Sequence, residues 1–175
     1  FAPTLADARA MVEAADRVVA VCNWLADALR ANGVPEAKLA LSRQGLSAEI
    51  ASQLALPRPR LANVAPGPLK LLFLGRMDPT KGLDVLLSAV LSLPPDVPVG
   101  LTIHALPPDQ ENAGFAERLL QMVATDARVH FAGPLARQDV PAALQAHDVL
   151  CIPSRWMETG PLVALEAAAA GLHIL

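Results

Sequence analysis

Residues 69–82 read Leu-Lys-Leu-Leu-Phe-Leu-Gly-Arg-Met-Asp-Pro-Thr-Lys-Gly, an aliphatic run that stops at a glycine and is followed by two cations. Near-continuous apolar character over residues 69–74 predicts a strand buried on both faces. The apolar positions of residues 83–93 predict a helix after it, and the same alternation continues to the end of the chain. Strands are expected at 99–105, 128–132, 149–153 and 173–175, and helices at 112–125, 139–147 and 162–170. Aliphatic strands alternating with short helices specify an α/β fold: an open, doubly wound parallel sheet of Rossmann-like type.

Composition points the same way. Of 175 residues, 53% are hydrophobic and 18% charged, while aromatic residues reach only 3% and tyrosine is absent, so the core is aliphatic and disorder is excluded. A net charge of -3 provides no basic field, and nucleic acid is not an expected partner. The longest apolar stretch, 161–175, contains Glu166 and His173 and falls short of the ~20 residues that a bilayer requires. Cys22 and Cys151 both lie in apolar runs that read as buried strands, which suits reduced thiols and a cytoplasmic setting.

Upstream, 5–15 reads as a helix, 17–22 as a strand, and Asn23 as the N-cap of a helix that stops at Asn32-Gly33, with a further strand at 38–42. Pro57, Pro59, Pro66 and Pro68 then interrupt all periodicity. The expected organisation is a fragment of one domain at 1–55, a linker at 56–68, and a second domain at 69–175, truncated at its C-terminus. The chain opens on Phe1 and closes on an apolar run, so a piece of a longer polypeptide is expected, self-associating through apolar faces left uncovered.

Ligands of open α/β sheets bind at the carboxyl ends of the strands. After the first strand of the regular region, Gly75 and Gly82 flank Arg76 and Lys81, two cations able to converge on one anion such as a diphosphate. The segment is neither a phosphate loop with Gly-x-x-x-x-Gly-Lys-Ser/Thr nor a dinucleotide fingerprint. After residues 149–153 comes Ser154-Arg155-Trp156-Met157-Glu158-Thr159-Gly160-Pro161-Leu162-Val163, where Pro161 suits a first helical turn and the free N–H groups of Leu162 and Val163 can receive phosphate. Glu166, inside an otherwise apolar helix, is costly to bury unless it faces a ligand. Two carboxylates, two cations and a helix start together suit a nucleoside diphosphate sugar, whose vicinal hydroxyls donate to carboxylates. His104, His130 and His147 read as structural, and Trp156 as a pocket wall or a packing residue.

These residues resemble a known family. Glu158 and Glu166 form Glu-x7-Glu between a strand ending Pro153-Ser154 and the helix Ala167-Ala168-Ala169-Ala170-Gly171, and Gly75-Arg76…Lys81-Gly82 precedes them. The pattern resembles the donor-binding half of a family 4 retaining glycosyltransferase of GT-B fold, with a short piece of its acceptor-side domain in residues 15–22 and 41–46. The resemblance implies that Arg76 and Lys81 bind the donor pyrophosphate, that Glu158 contacts sugar hydroxyls and Glu166 the ribose, and that Gly160, Leu162 and Val163 reach sugar or phosphate. Gly75, Gly133 and Leu135 would complete the donor pocket, the last two near the base. It further implies catalysis by Arg76, Lys81 and Glu158 without metal or cofactor, a UDP or GDP sugar as donor, and a carbohydrate or lipid-linked acceptor. Any peripheral membrane contact would run through parts outside this chain, which alone would bind nucleotide without turnover. Two alternatives stand beside this reading: a noncatalytic nucleotide-sugar-binding module, and another GT-B enzyme such as a sugar-nucleotide epimerase.

Overall fold

A computed structural model describes residues 4–54, 67–123 and 125–175, so the expected linker lies almost wholly outside the described residues. The chain divides into two compact units, residues 1–45 with 159–161, and residues 46–158 with 162–175.

The first unit contains α1 (Leu5–Ala14), β1 (Val18–Ala20), α2 (Asn23–Ala31) and β2 (Leu39–Leu41). Thr4 and Asp7 form a reciprocal capping box at the start of α1, and Lys38 Nζ donates to the carbonyls of Val12 and Glu13 at its end. β1 and β2 pair in parallel, Val18 opposite Leu39. Two sequence expectations need correction. Cys22, not Asn23, occupies the N-cap of α2, with extended backbone angles and no capping side chain; Asn23 is the first helical residue and its Oδ1 accepts from Arg43 Nη2 at 3.2 Å. Cys22 is accordingly a half-buried helix-start residue, whereas Cys151 is a buried free thiol as expected. Burial pushes the Cys151 thiol up to about 11.

The second unit contains α3 (Ala48–Leu54), β3 (Leu69–Arg76), α4 (Leu83–Ser92), β4 (Val99–Leu106), α5 (Ala113–Met122), β5 (Val129–Phe131), α6 (Val140–Gln145), β6 (Val149–Leu150), α7 (Leu162–Ala169) and β7 (His173–Ile174). The five strands from β3 onward are all parallel, in the order β5-β4-β3-β6-β7. The order reverses between β3 and β6, the switch point of a doubly wound sheet. One face packs Leu71, Phe73, Leu101 and Ile103 against Leu83, Leu87 and Leu119 of α4 and α5. The other packs Leu72 and Leu150 against Ile50, Leu54, Leu144 and Ala167 of α3, α6 and α7. Helices on both faces explain the aliphatic strands.

Helix α3 was not foreseen. Its two buried residues, Ile50 and Leu54, sit one turn apart in an otherwise polar stretch, and Ser47 Oγ accepts from the Ile50 N–H at 3.3 Å. Because both side chains enter the sheet's second core, the units divide between Gly45 and Leu46 rather than near residue 55. Ladder bonding also outlasts the short β6, since Cys151 N–H donates to Leu72 O and Ile152 N–H to Leu175 O. No helix among the described residues is long and apolar enough to cross a membrane.

One charged clamp predicts a pH response. Arg128 holds Asp126 through paired side-chain bonds at 3.0 and 2.7 Å and a backbone N–H bond, and also reaches the carbonyls of Leu93 and Pro94. These bonds hold the Asp126 carboxyl down at about 2. A depressed carboxylate stabilises the fold above its unfolded pKa, near 4, and that contribution is lost as pH falls toward 2. The melting-temperature gap between the unsubstituted chain and Asp126→Asn should therefore narrow steadily from pH 5 to pH 2. A gap that stays constant over that range contradicts the assignment.

Candidate functional site

The loops after β3 and β6 meet at the switch point, and glycine makes that meeting possible. Asp78 caps a 3-10 turn, Pro79–Lys81, by accepting from Thr80 N–H at 3.0 Å and from the Thr80 hydroxyl. Gly82 ends the turn in the left-handed region, φ +65, where a Cβ would lie 2.0 Å from the carbonyl oxygen of Pro153. Only glycine lets α4 begin directly against the end of β6.

Three polar links then join the loops. Arg155 N–H donates to Thr80 O at 2.8 Å, and Arg155 Nη2 pairs with Asp84 Oδ2 at 2.7 Å in the first turn of α4. Lys81 Nζ lies 2.6 Å from Glu158 Oε1, the oxygen that also accepts from Ser154 Oγ at 2.7 Å. Lys81 and Glu158 side chains are 26% and 25% exposed, so this pair is shielded from solvent much more than Arg76, which is 65% exposed and pairs with Asp78 Oδ2 at 3.0 Å. The Lys81 and Ser154 bonds hold the Glu158 carboxyl below its ordinary range, overcoming partial burial. Partial burial raises Asp78, but the Thr80 bonds and the Arg76 charge outweigh it and the net direction is down.

Above these loops lies a cavity of about 620 Å³, lined by Leu74, Gly75, Arg76, Lys81, His104, Leu106, Leu135, Val140, Leu162, Val163 and Glu166. Its lining combines two cations, Arg76 and Lys81, with the apolar Leu106, Leu135 and Val140. Glu166 is 7% exposed, and its carboxylate has no hydrogen bond or ion pair among the described residues. A carboxylate on a largely buried residue at the wall of a cavity, with no partner among the described residues, is placed to accept hydrogen bonds from a ligand.

Of the residues singled out from sequence, Gly75, Arg76, Lys81, Leu135, Leu162, Val163 and Glu166 thus share one cavity wall. Glu158 acts one step behind it, on Lys81. Gly133 participates through its carbonyl, which accepts from His104 Nδ1 at 3.0 Å, while its φ of +77 requires glycine. Gly160, φ +111, groups with the first unit and is not a lining residue. Sequence reasoning missed His104, taken as a packing or solvent residue. Its place opposite Leu74 in the β3–β4 register, at the carboxyl end of β4, is the signal that marks it. His147 Nδ1 lies 2.7 Å from Ala143 O of α6, and His130 is exposed; neither lines the cavity.

Residues 61–175 match the family of glycosyl transferases group 1. The chain belongs to this family. Among curated group 1 relatives, it is 31% identical over 118 residues to the D-inositol 3-phosphate glycosyltransferase of Rhodococcus erythropolis, covering 63% of this chain and 26% of that protein. It is 35% identical over 119 residues to the enzyme of the same name from Pseudarthrobacter chlorophenolicus, covering 64% and 27%. The matches thus span about a quarter of those relatives' lengths. Similar solved structures include Anabaena HepE in complex with UDP and glucose, with TM-score 0.75 and 20% identity over 98% of this chain and 48% of that one. Another is sucrose-phosphate synthase from Thermosynechococcus elongatus, with TM-score 0.71 and 27% identity over 97% and 42%. These neighbours are GT-B glycosyltransferases, and the second unit is the Rossmann-like half of that fold.

Proposed function

We propose that these residues form the donor-binding half of a retaining, metal-independent family 4 glycosyltransferase, which moves a sugar from a UDP or GDP sugar to an acceptor hydroxyl on a carbohydrate or lipid-linked molecule. The observation that carries this reading is the joint placement of Arg76, Lys81 and the largely buried Glu166 around one cavity at the sheet's switch point. Leaving-group departure concentrates negative charge on the diphosphate. Cations fixed beside it, together with the N–H groups at the start of α7, stabilise that charge as it develops. Glu166 then takes the ribose hydroxyls, Glu158 the sugar hydroxyls, and the apolar wall of Leu106, Leu135 and Val140 the base. The UDP held by HepE supports a nucleoside diphosphate donor for this chain as well. The acceptor belongs to a partner domain of the longer protein, and the setting is cytoplasmic.

Calorimetric titration of the 175-residue chain with UDP, GDP and ADP tests the reading. At least one should bind saturably at a single site, without sugar transfer when its sugar conjugate is supplied. Absence of binding by all three at millimolar concentration would overturn it.

A further inference from the structure

We infer that His104 selects the nucleobase of the donor: its ring presents a bare nitrogen that pairs with a base carrying a ring N–H, uracil or guanine, and rejects cytosine and adenine. This rests on the donor-site reading above, to which it adds the base.

β4 buries Val99, Leu101, Ile103 and Ala105 in the core shared with α4 and α5, so strand alternation turns His104 and Leu106 to the opposite face, where both line the cavity. His104 Nδ1 lies 3.0 Å from Gly133 O. A carbonyl can only accept, so Nδ1 carries the proton, and in the neutral ring Nε2 is an acceptor. Nε2 has no partner among the described residues. Of the other polar side chains lining the cavity, Arg76 and Lys81 only donate and Glu166 is an acid, which leaves Nε2 as the uncharged acceptor. His104 is tied to the two segments that supply apolar lining for the base. Leu106 follows it by two residues on the same face of β4, and Gly133, which it bonds, precedes Leu135 by two.

The bases differ at the ring nitrogen of their pairing edge. Uracil N3 and guanine N1 carry a proton, whereas cytosine N3 and adenine N1 are bare acceptors. An N–H facing Nε2 gains a hydrogen bond, while a second acceptor there leaves both groups desolvated and unpaired. Uracil and cytosine have nearly the same shape, so the apolar contacts of Leu106, Leu135 and Val140 do not separate them; a fixed acceptor does. Gly133, with φ +77, turns the chain in a conformation suited to glycine, and its carbonyl holds the imidazole in one tautomer.

Calorimetry at pH 8 tests this with UDP against CDP, GDP against ADP, and UDP and GDP against their N3-methyl and N1-methyl derivatives, which lack the ring N–H. Three forms of the chain are compared. One is unsubstituted; His104→Asn can keep the Gly133 bond through its amide N–H but has no atom in the place of Nε2; His104→Phe keeps a ring and loses both nitrogens. The unsubstituted chain should bind UDP or GDP about tenfold more tightly than its size-matched partner, and methylation should cost a similar factor. In both variants these ratios should fall to within about twofold. A role limited to holding Gly133 predicts instead that His104→Asn keeps the preference, and that result overturns the inference. So does an unsubstituted chain that separates neither pair or binds CDP or ADP most tightly, a result that needs no variant. A methylation penalty of the same size in all three forms also overturns it, because the obstruction then lies elsewhere in the pocket. These outcomes leave the donor site standing. Failure of all four nucleoside diphosphates to bind the unsubstituted chain sinks the donor-site reading itself, and this inference falls with it.

Discussion

Gly82→Ala should lower the stability of the second unit by about 3 kcal/mol, the upper end of what overpacking a tight contact costs, with a further contribution from the left-handed backbone. The added methyl would lie 2.0 Å from a backbone oxygen, that of Pro153, so no side-chain rotation relieves the clash. Either α4 or the end of β6 must move. Movement of either also separates Lys81 from Glu158 and Arg155 from Asp84, because each pair spans the two loops that the glycine brings together. Thermal melting should show a drop of roughly 10 °C, and nucleoside diphosphate binding should weaken in the folded variant. A melt within 2 °C of the unsubstituted chain would contradict the packing.

Lys81→Ala should weaken diphosphate binding by roughly 100-fold, or about 2.7 kcal/mol. Two losses combine: a partly buried cation on the cavity wall disappears, and Glu158 loses the ammonium that neutralises it. Arg76→Ala should cost less, because that guanidinium is largely solvated. Glu166→Ala should fall between them, at about tenfold, from lost hydroxyl bonds. Calorimetry on the three variants gives the order, and a loss of less than about tenfold for both Lys81→Ala and Glu166→Ala would show that the cavity is not the nucleotide site.

Much of this was legible from residue pattern. Apolar runs located β3, β4 and β5 to within about two residues at most ends, and in β3 three consecutive residues, Leu71, Leu72 and Phe73, are buried on alternating faces. The carboxyl-end rule then pointed to Arg76, Lys81, Leu162, Val163 and Glu166, all of which share the cavity. What escaped depends on tertiary partners. Ile50 and Leu54 are two apolar residues without a helical face of their own, and α3 becomes recognisable only when α6 and α7 are in place to receive them. Cys22 looked like the end of a strand because the apolar run continues through it, yet β1 pairs only as far as β2 extends, and the residue opens a helix instead. His104 carried no local mark of function; its neighbour across the sheet, Leu74, and the Gly133 carbonyl bring it to the cavity. Arg155 and Asp84, 71 residues apart, could not be paired without the sheet order.

The reversal of strand order also has a kinetic side. β3 and β4 pair along eight residues after one short helical crossover, whereas the contact of β3 with β6 involves two residue pairs and closes a loop of more than seventy residues. Loop closure of that length makes the β3–β6 junction a late event in folding. Lys81 sits on one side of this junction and Glu158, Glu166 and the start of α7 on the other, so the two cations stay apart from the remaining site residues in any intermediate built on β3, β4 and β5 alone. A nucleotide therefore meets only part of its site until the chain is nearly complete. Added ligand should slow unfolding while leaving the early steps of folding untouched.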